Sequence, residues 1–351
     1  MQQINIFLTF DYELPLGNQN IKPNETLIHP TEKLLQLCDE LQVSVTFFVD
    51  VMCCLQLQNW GESEFESLIR QQLQSAGEKG HDLQLHLHPH WLTSGYENKI
   101  YTPSKDFRLA DFSENEIKEM VENGILYLTE IALPVKADYR CLAFRGGGYN
   151  TENPALLFDI LAKNNIKIDS SMCHDFYFAS DRSVVDYRRL PEYPGWFFQN
   201  GDFRNPTTDG IFEVPIAGKK KSLTELPTFI KLKVYKNRRP RNLGKMVHSE
   251  NKLSVSEKRK KALSSRMLSF DNYTYSTKFL LKILQYNIKK FSTFEEINLA
   301  VASHPKSMDN YNFLLMKEFV ESVRKLYGEQ VCFTTFQPFA EKKFSHAISG
   351  Y

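Results

Sequence analysis

The stretch HDLQLHLHPHW, from His81 to Trp91, constrains the fold more than any other part of the chain. Leu83, Leu85 and Leu87 alternate with Asp82, Gln84, His86 and His88. Strand side chains alternate faces with a period of two, so this is a strand with one apolar and one polar face. Pro89 has no N–H for a ladder and ends the strand, which puts His90 in the loop at its C-terminal end. Three of the nine histidines of the chain thus fall within five residues. A solvated edge strand would explain the alternation but not that density, and imidazole is the commonest metal-binding side chain. The stretch reads as half of a metal site.

With 351 residues, 42% hydrophobic and 24% charged, the chain can bury a substantial core as one large domain or two ordinary ones. A net charge of +1 gives no general pull toward nucleic acid or acidic lipid. No run of 18 apolar residues is present, so no membrane-spanning helix is expected. Ile4, Ile6, Leu8 and Phe10 open the chain as a strand, with no basic segment leading into an apolar one, so no signal peptide is expected. The six cysteines lack a framework spacing and suit buried thiols in a reducing compartment. Together these features lead us to expect a soluble, cytoplasmic protein.

The remaining pattern alternates strands with helices. Strands are expected over residues 3–10, 43–49, 141–144, 166–168, 297–302 and 330–335, besides the histidine strand. Helices are expected near 30–41, 63–78, 113–128, 154–163, 279–290 and 312–326, the third opened by a Ser113-Glu116 capping box. Such alternation implies βαβ units and a parallel sheet, in which ligand-binding residues gather at the C-terminal strand ends. Asp11, Glu13, His86, His90, Arg145, Asp169 and His304 all fall there. Residues 172–261 are less regular, with one clear strand at 211–216, and are read as an insertion or elaboration of a single catalytic domain. Their basic part, 219–261, includes Lys219 to Lys221 and Lys236 to Lys245. It is either a solvated face or a surface for phosphates.

Hydrolytic metal sites use three protein ligands and leave a position open for water. His86 and His90 can supply nitrogens and Asp11 or Glu13 an oxygen, a set suited to zinc. An alternative pairs His86 with His88, which share a strand face. Asp11 and Glu13 are two apart, so one can hold a metal while the other serves as base. Arg145 offers a fixed cation to keep an aspartate ionised, and His304 can serve as a general acid. The run Gly146-Gly147-Gly148 would let backbone N–H groups approach a ligand closely.

These motifs, in this order, resemble the polysaccharide deacetylase family (NodB homology, carbohydrate esterase family four). Thr9-Phe10-Asp11-Tyr12-Glu13 resembles its first motif, His86 and His90 its paired histidines, Phe144 to Tyr149 its arginine motif, and Ser303-His304 its late histidine motif. The likeness covers roughly residues 3–171 and 297–336. It implies an α/β fold, a deformed (β/α) barrel with an elaborated insertion. By the same resemblance Asp11 is the base, with Glu13, His86 and His90 on one divalent ion, zinc by preference. Asp11 is the alternative carboxylate, since Tyr12 stands where the family usually has its metal aspartate. Arg145 would hold Asp11, and N–H groups near Gly148 and Tyr149 would receive the oxyanion. His304 would protonate the leaving amine with Asp169 in support, and His88 would support the metal site as the rival partner of His86.

The function expected from this resemblance is removal of N-acetyl groups from an acetamido sugar, in surface polysaccharide biosynthesis. The substrate would be nucleotide- or lipid-linked, with peripheral membrane contact through the basic segment and no role for nucleic acid. The alternatives are hydrolysis of another amide or ureide, and a catalytically silent sugar-binding protein, which Tyr12 would favour.

Overall fold

The structure, a computed structural model, describes residues 2–15, 23–98, 100–180, 183–236 and 254–348. Nine strands of the described residues form one sheet: β1 (Gln3–Tyr12), β2 (Thr46–Asp50), β3 (Asp82–Leu87), β4 (Ala143–Gly146), β5 (Ile168–Asp169), β6 (Trp196–Phe198), β7 (Ile211–Glu213), β8 (Glu296–Ser303) and β9 (Val331–Thr334). The α-helices are α1 (His29–Leu41), α2 (Val51–Asn59), α3 (Ser63–Glu78), α4 (Glu114–Ala132), α5 (Pro154–Lys163), α6 (Leu226–Lys236), α7 (Val255–Leu263), α8 (Thr277–Lys290), α9 (Asn310–Tyr327) and α10 (Phe336–Ile348). None is long and apolar enough to cross a membrane.

The spatial order is β6-β7-β5-β4-β3-β2-β1-β8, with β9 also on β1. Every pair is parallel except β6 with β7. Beyond β7 the chain runs on beside β8. There the Ala217 N–H donates to the Ala300 carbonyl and the Ala300 N–H to the Pro215 carbonyl, each at 2.9 Å. The sheet therefore curls until its two ends touch, and the architecture is the deformed (β/α) barrel expected.

Two apolar cores follow from the alternation along β1. Ile4, Ile6, Leu8, Phe10 and Tyr12 face outward onto the helices, with Leu83, Leu85 and Leu87 of β3. Phe7 faces inward and meets Phe336 (4.8 Å between ring centres) and Phe339 of α10, which plug the base of the barrel. The polar face of β3 is therefore interior and fully buried, not solvated. Asp82 and Gln84 are satisfied there. Asp82 accepts the first N–H groups of α10, from Phe336 (3.0 Å) and Gln337 (3.2 Å), where the helix dipole favours a carboxylate. Gln84 accepts from the Leu142 and Ala143 N–H groups beside β4.

The stretch 172–261 is more than an insertion. It supplies β6, β7 and the segment that closes the barrel, and only the remainder forms excursions. These are the hairpin Phe176–Ala179 with Val184–Tyr187, the strand Gly218–Lys220 paired with Ser265–Met267, and helices α6 and α7. Nearly all of the basic run from Lys236 to Lys245 lies outside the described residues.

Candidate metal centre and active site

β1 stays extended through Tyr12, so Asp11 and Glu13 both point into the barrel mouth while Tyr12 points out. The Tyr12 hydroxyl donates to Gln72 Oε1 on α3 (2.9 Å), and its ring packs edge-on against Phe47. A tyrosine here takes nothing from the site.

Glu13 Oε2 lies 2.5 Å from His88 Nε2 and 3.6 Å from His86 Nε2. Glu13, His86 and His88 are at most 4% exposed, and none of these three atoms has a partner with hydrogen-bond geometry. Buried polar atoms are almost always paired, so three unpaired donors converging within 4.8 Å of one another fit a metal ion. The tautomer agrees. A carbonyl can only accept, so His86 Nδ1 carries the proton it gives to the Arg145 carbonyl (2.8 Å), leaving the Nε2 lone pair toward the cluster. Burial opposes charge on His86, but Asp11 and Glu13 outweigh it and raise its pKa. A field that attracts protons so strongly attracts any cation.

His90, expected as the second nitrogen ligand, is not in that group; His88 takes the place. His88 continues the inward face of β3, whereas Pro89 starts a 3-10 turn, Pro89–Thr93, that carries His90 sideways. There the His90 ring stacks on Phe107 (4.6 Å, 10°). Asp50 fixes the turn from beneath, accepting from the His88 N–H (3.4 Å) and the Trp91 indole (2.7 Å).

Asp11 forms a buried pair with Arg145, whose Nη1 donates to Oδ1 at 2.6 Å. The guanidinium is held by the Ser170 carbonyl (2.8 Å) and lies over the Phe48 ring (4.1 Å). Burial pushes the Asp11 carboxyl up, but Arg145, His86 and His304 overcome it and hold it well below the usual carboxylate range. Glu13 is likewise raised by burial and, on balance, lowered by Lys306 and His88. Lys306 Nζ sits 2.9 Å from Glu13 Oε1 and donates to the Leu14 carbonyl at the same distance.

His304 follows β8. Its Nε2 lies 3.4 Å from both Asp11 Oδ2 and Glu13 Oε1, and its Nδ1–H donates to Asp271 Oδ2 at 2.6 Å. Burial disfavours its charge, yet Asp11 and Asp271 push its pKa up to about 10. The acid supporting His304 is thus Asp271. Asp169 lies elsewhere, taking the Ser171 hydroxyl (2.6 Å) and facing Glu213 across β5 and β7. Asp271 and Lys306 escaped sequence reading. Lys306 stands two residues past His304, a signal that was available; Asp271 sits in a short aperiodic stretch.

The glycine run also has a packing role. Gly147 packs against the end of β3, and a Cβ there would sit 2.4 Å from the Leu87 carbonyl and 2.8 Å from His88 Nδ1. Gly148 (φ +58°) and Tyr149 (φ +63°) form the tip of a one-turn 3-10 segment, Gly147–Tyr149, tied down by the Tyr187 hydroxyl on the Tyr149 carbonyl (2.7 Å).

No family model matches the sequence, and no curated protein does. Solved structures do match in shape. A protein described as a polysaccharide deacetylase from Mycobacterium smegmatis superposes with a TM-score of 0.51 at 14% identity, over 99% of this chain and 92% of its own. The chain has the polysaccharide deacetylase fold. The deacetylase barrel is shared with PuuE allantoinase, at a TM-score of 0.51 and 12% identity, over 100% and 92% of the two chains. The 4-alpha-glucanotransferase from Thermococcus litoralis also matches, at a TM-score of 0.51 and 13% identity, although only 41% of that longer chain is covered.

Proposed function

We propose that the protein hydrolyses the acetamido group of a sugar, using a divalent ion, zinc by donor type, held by Glu13, His86 and His88. The observation carrying this reading is that the three-donor cluster lies beside two oppositely equipped pairs, Asp11 with Arg145 and His304 with Asp271. When bound, the ion would acidify a water and polarise the amide carbonyl. Asp11, kept ionised by Arg145, is set to accept a proton from that water. His304, kept protonated by Asp11 and Asp271, is set to give one to the leaving nitrogen. Backbone N–H groups at Gly148 and Tyr149 would supply the donors that a developing oxyanion needs.

The acetamido sugar is proposed to be an intermediate of surface polysaccharide assembly carrying a lipid or nucleotide phosphate. Tyr12 faces away from the site, which argues against a silent binding protein. The test is acetate release from N-acetylglucosamine oligosaccharides by zinc-loaded protein purified without chelator or histidine tag. Activity lost in Asp11→Asn with the metal retained is expected. Metal-loaded protein that opens ureides but releases no acetate would move the substrate class to the second reading.

A further inference from the structure

The four most exposed large apolar side chains among the described residues are Leu223 (88%), Val255 (84%), Val234 (63%) and Leu263 (61%). All four belong to one excursion. The strands Gly218–Lys220 and Ser265–Met267 pair as a hairpin, and the segments bearing α6 and α7 leave the same end of it. There the Lys221 N–H donates to the Ser264 carbonyl, and Lys221 Nζ to the Lys261 carbonyl (2.7 Å).

Among the described side chains of α6, Phe229 attaches it to the barrel. Phe229 is buried, edge-on to Phe279 of α8 (4.9 Å between centres) and beneath the Arg266 guanidinium (3.8 Å). Leu226, Ile230 and Val234 recur every four residues, which places them in one stripe, and their exposures run from 49% to 63%. The excursion that carries this stripe is basic in sequence. Residues 219–236 and 254–266 hold eleven lysines and arginines against two acids, in a chain whose net charge is only +1. Both acids are already engaged, Glu225 by Lys219 and Lys282, and Glu257 by the Ser254 N–H at the start of α7.

An exposed aliphatic stripe on a basic excursion is the pattern of a segment that lies in the plane of a membrane interface. Nucleic acid would use the cations but not the exposed leucine, isoleucine and valine. A second copy of the chain would oppose the same positive charge to itself. We propose that this face docks on an anionic lipid bilayer, with Leu223, Leu226, Ile230 and Val234 entering the interface while the surrounding lysines and arginines meet lipid phosphates. The docked face is close to the candidate active site in sequence, since Ser265–Met267 continues through Phe270 to Asp271, the partner of His304. The inference stands apart from the reaction proposed there.

The test is sedimentation of the full chain with vesicles of phosphatidylcholine, with and without phosphatidylglycerol. Binding only to the anionic vesicles, weakened by salt, is expected. The double variants Ile230→Ser/Val234→Ser and Lys258→Glu/Arg259→Glu should each bind at least ~10-fold more weakly, with metal content and hydrolysis of a soluble sugar unchanged. Failure of the wild type to sediment with anionic vesicles overturns the proposal. So does oligonucleotide binding that the charge variant alone abolishes without altering vesicle binding. A dimer dissolved by Ile230→Ser/Val234→Ser, with no vesicle binding, assigns the stripe to self-association and equally overturns it.

Discussion

Arg145 and Asp11 are 134 residues apart in the chain and 2.6 Å apart in the fold, neither more than 2% exposed. Such a pair is worth little against an apolar replacement of both partners, but removing one strands a buried charge at about 3–5 kcal/mol. Arg145→Met should therefore lower unfolding free energy by about that amount in denaturant titrations. Arg145→Lys should lose less, keeping the charge but not the forked contact with Ser170. An Arg145→Met protein as stable as wild type would show that the pair carries no such burden.

Metal content by mass spectrometry separates His88 from His90. About one divalent ion per chain is expected for wild type. Glu13→Ala, His86→Ala and His88→Ala should each lose it, while His90→Ala should retain it with reduced stability from the lost stacking on Phe107. Retention by His88→Ala together with loss by His90→Ala would restore the spacing expected from the sequence.

Gly147 and Gly148 should respond differently to alanine. At Gly147 the added methyl meets the Leu87 carbonyl and the His88 ring, so Gly147→Ala should weaken metal affinity about 10–100-fold, as loss of ligand support does. At Gly148 nothing lies within 4 Å of the added atom, and the cost is only the left-handed backbone, about 1–2 kcal/mol. Cobalt(II) titration followed by absorbance reads the first effect, and thermal unfolding the second.

Asp271→Asn keeps the shape beside His304 but removes the charge that orients and protonates its ring. With a substrate that is hydrolysed, kcat should fall about 10²-fold with KM nearly unchanged, the range for a disabled general acid. Metal content should be intact, because Asp271 is not among the candidate ligands. A loss of metal instead would make Asp271 part of the binding site.

His81 gives an acid limb to stability. Burial lowers its pKa to about 4, and its Nδ1 accepts the Val45 N–H (3.1 Å), which a protonated ring could not do. The unfolded chain takes up this proton near pH 6.5 and the folded chain only near 4, so the stabilisation is present above about 6.5 and is lost as pH falls toward 4. At pH 5 the loss from this residue is about 2 kcal/mol. Unfolding curves at pH 7 and 5 should therefore differ less for His81→Gln than for wild type. Equal differences would refute the assignment.

Much of this architecture was legible in alternation alone. The β3 leucines face the helices, and the Asp11–Glu13 spacing places both acids on the inner face of β1. The same alternation also put His88 with His86, and it was the motif spacing that favoured His90. The backbone continued the strand pattern up to Pro89, and only beyond it did the chain turn. Asp169 looked like support for His304 because both end strands, but it lies in β5, four strands away from β1 along the sheet path, and pairs with Glu213. Asp271 was illegible for a different reason. The stretch carrying it owes its position to hydrogen bonds along β8, such as the Ala302 N–H to the Leu268 carbonyl (3.1 Å) and the Phe270 N–H to Ser303 Oγ (2.8 Å). No periodicity within it announces that placement.

β1 is the strand on which β2, β8 and β9 all depend, and this has a consequence for how the protein is made. Asn5 must find Asn298, a partner 293 residues later. At about 5–20 residues per second of synthesis, the first strand waits on the order of tens of seconds before β8 exists. Glu13, His86 and His88 leave the ribosome early and can gather as soon as β1 to β3 associate. Asp271, His304 and Lys306 arrive near the end. The nascent chain therefore passes through an interval in which a metal could be held while β1 still lacks its neighbour. In that interval an apolar parallel edge is open to other chains, so the yield of folded protein should depend more on chaperones than on metal supply.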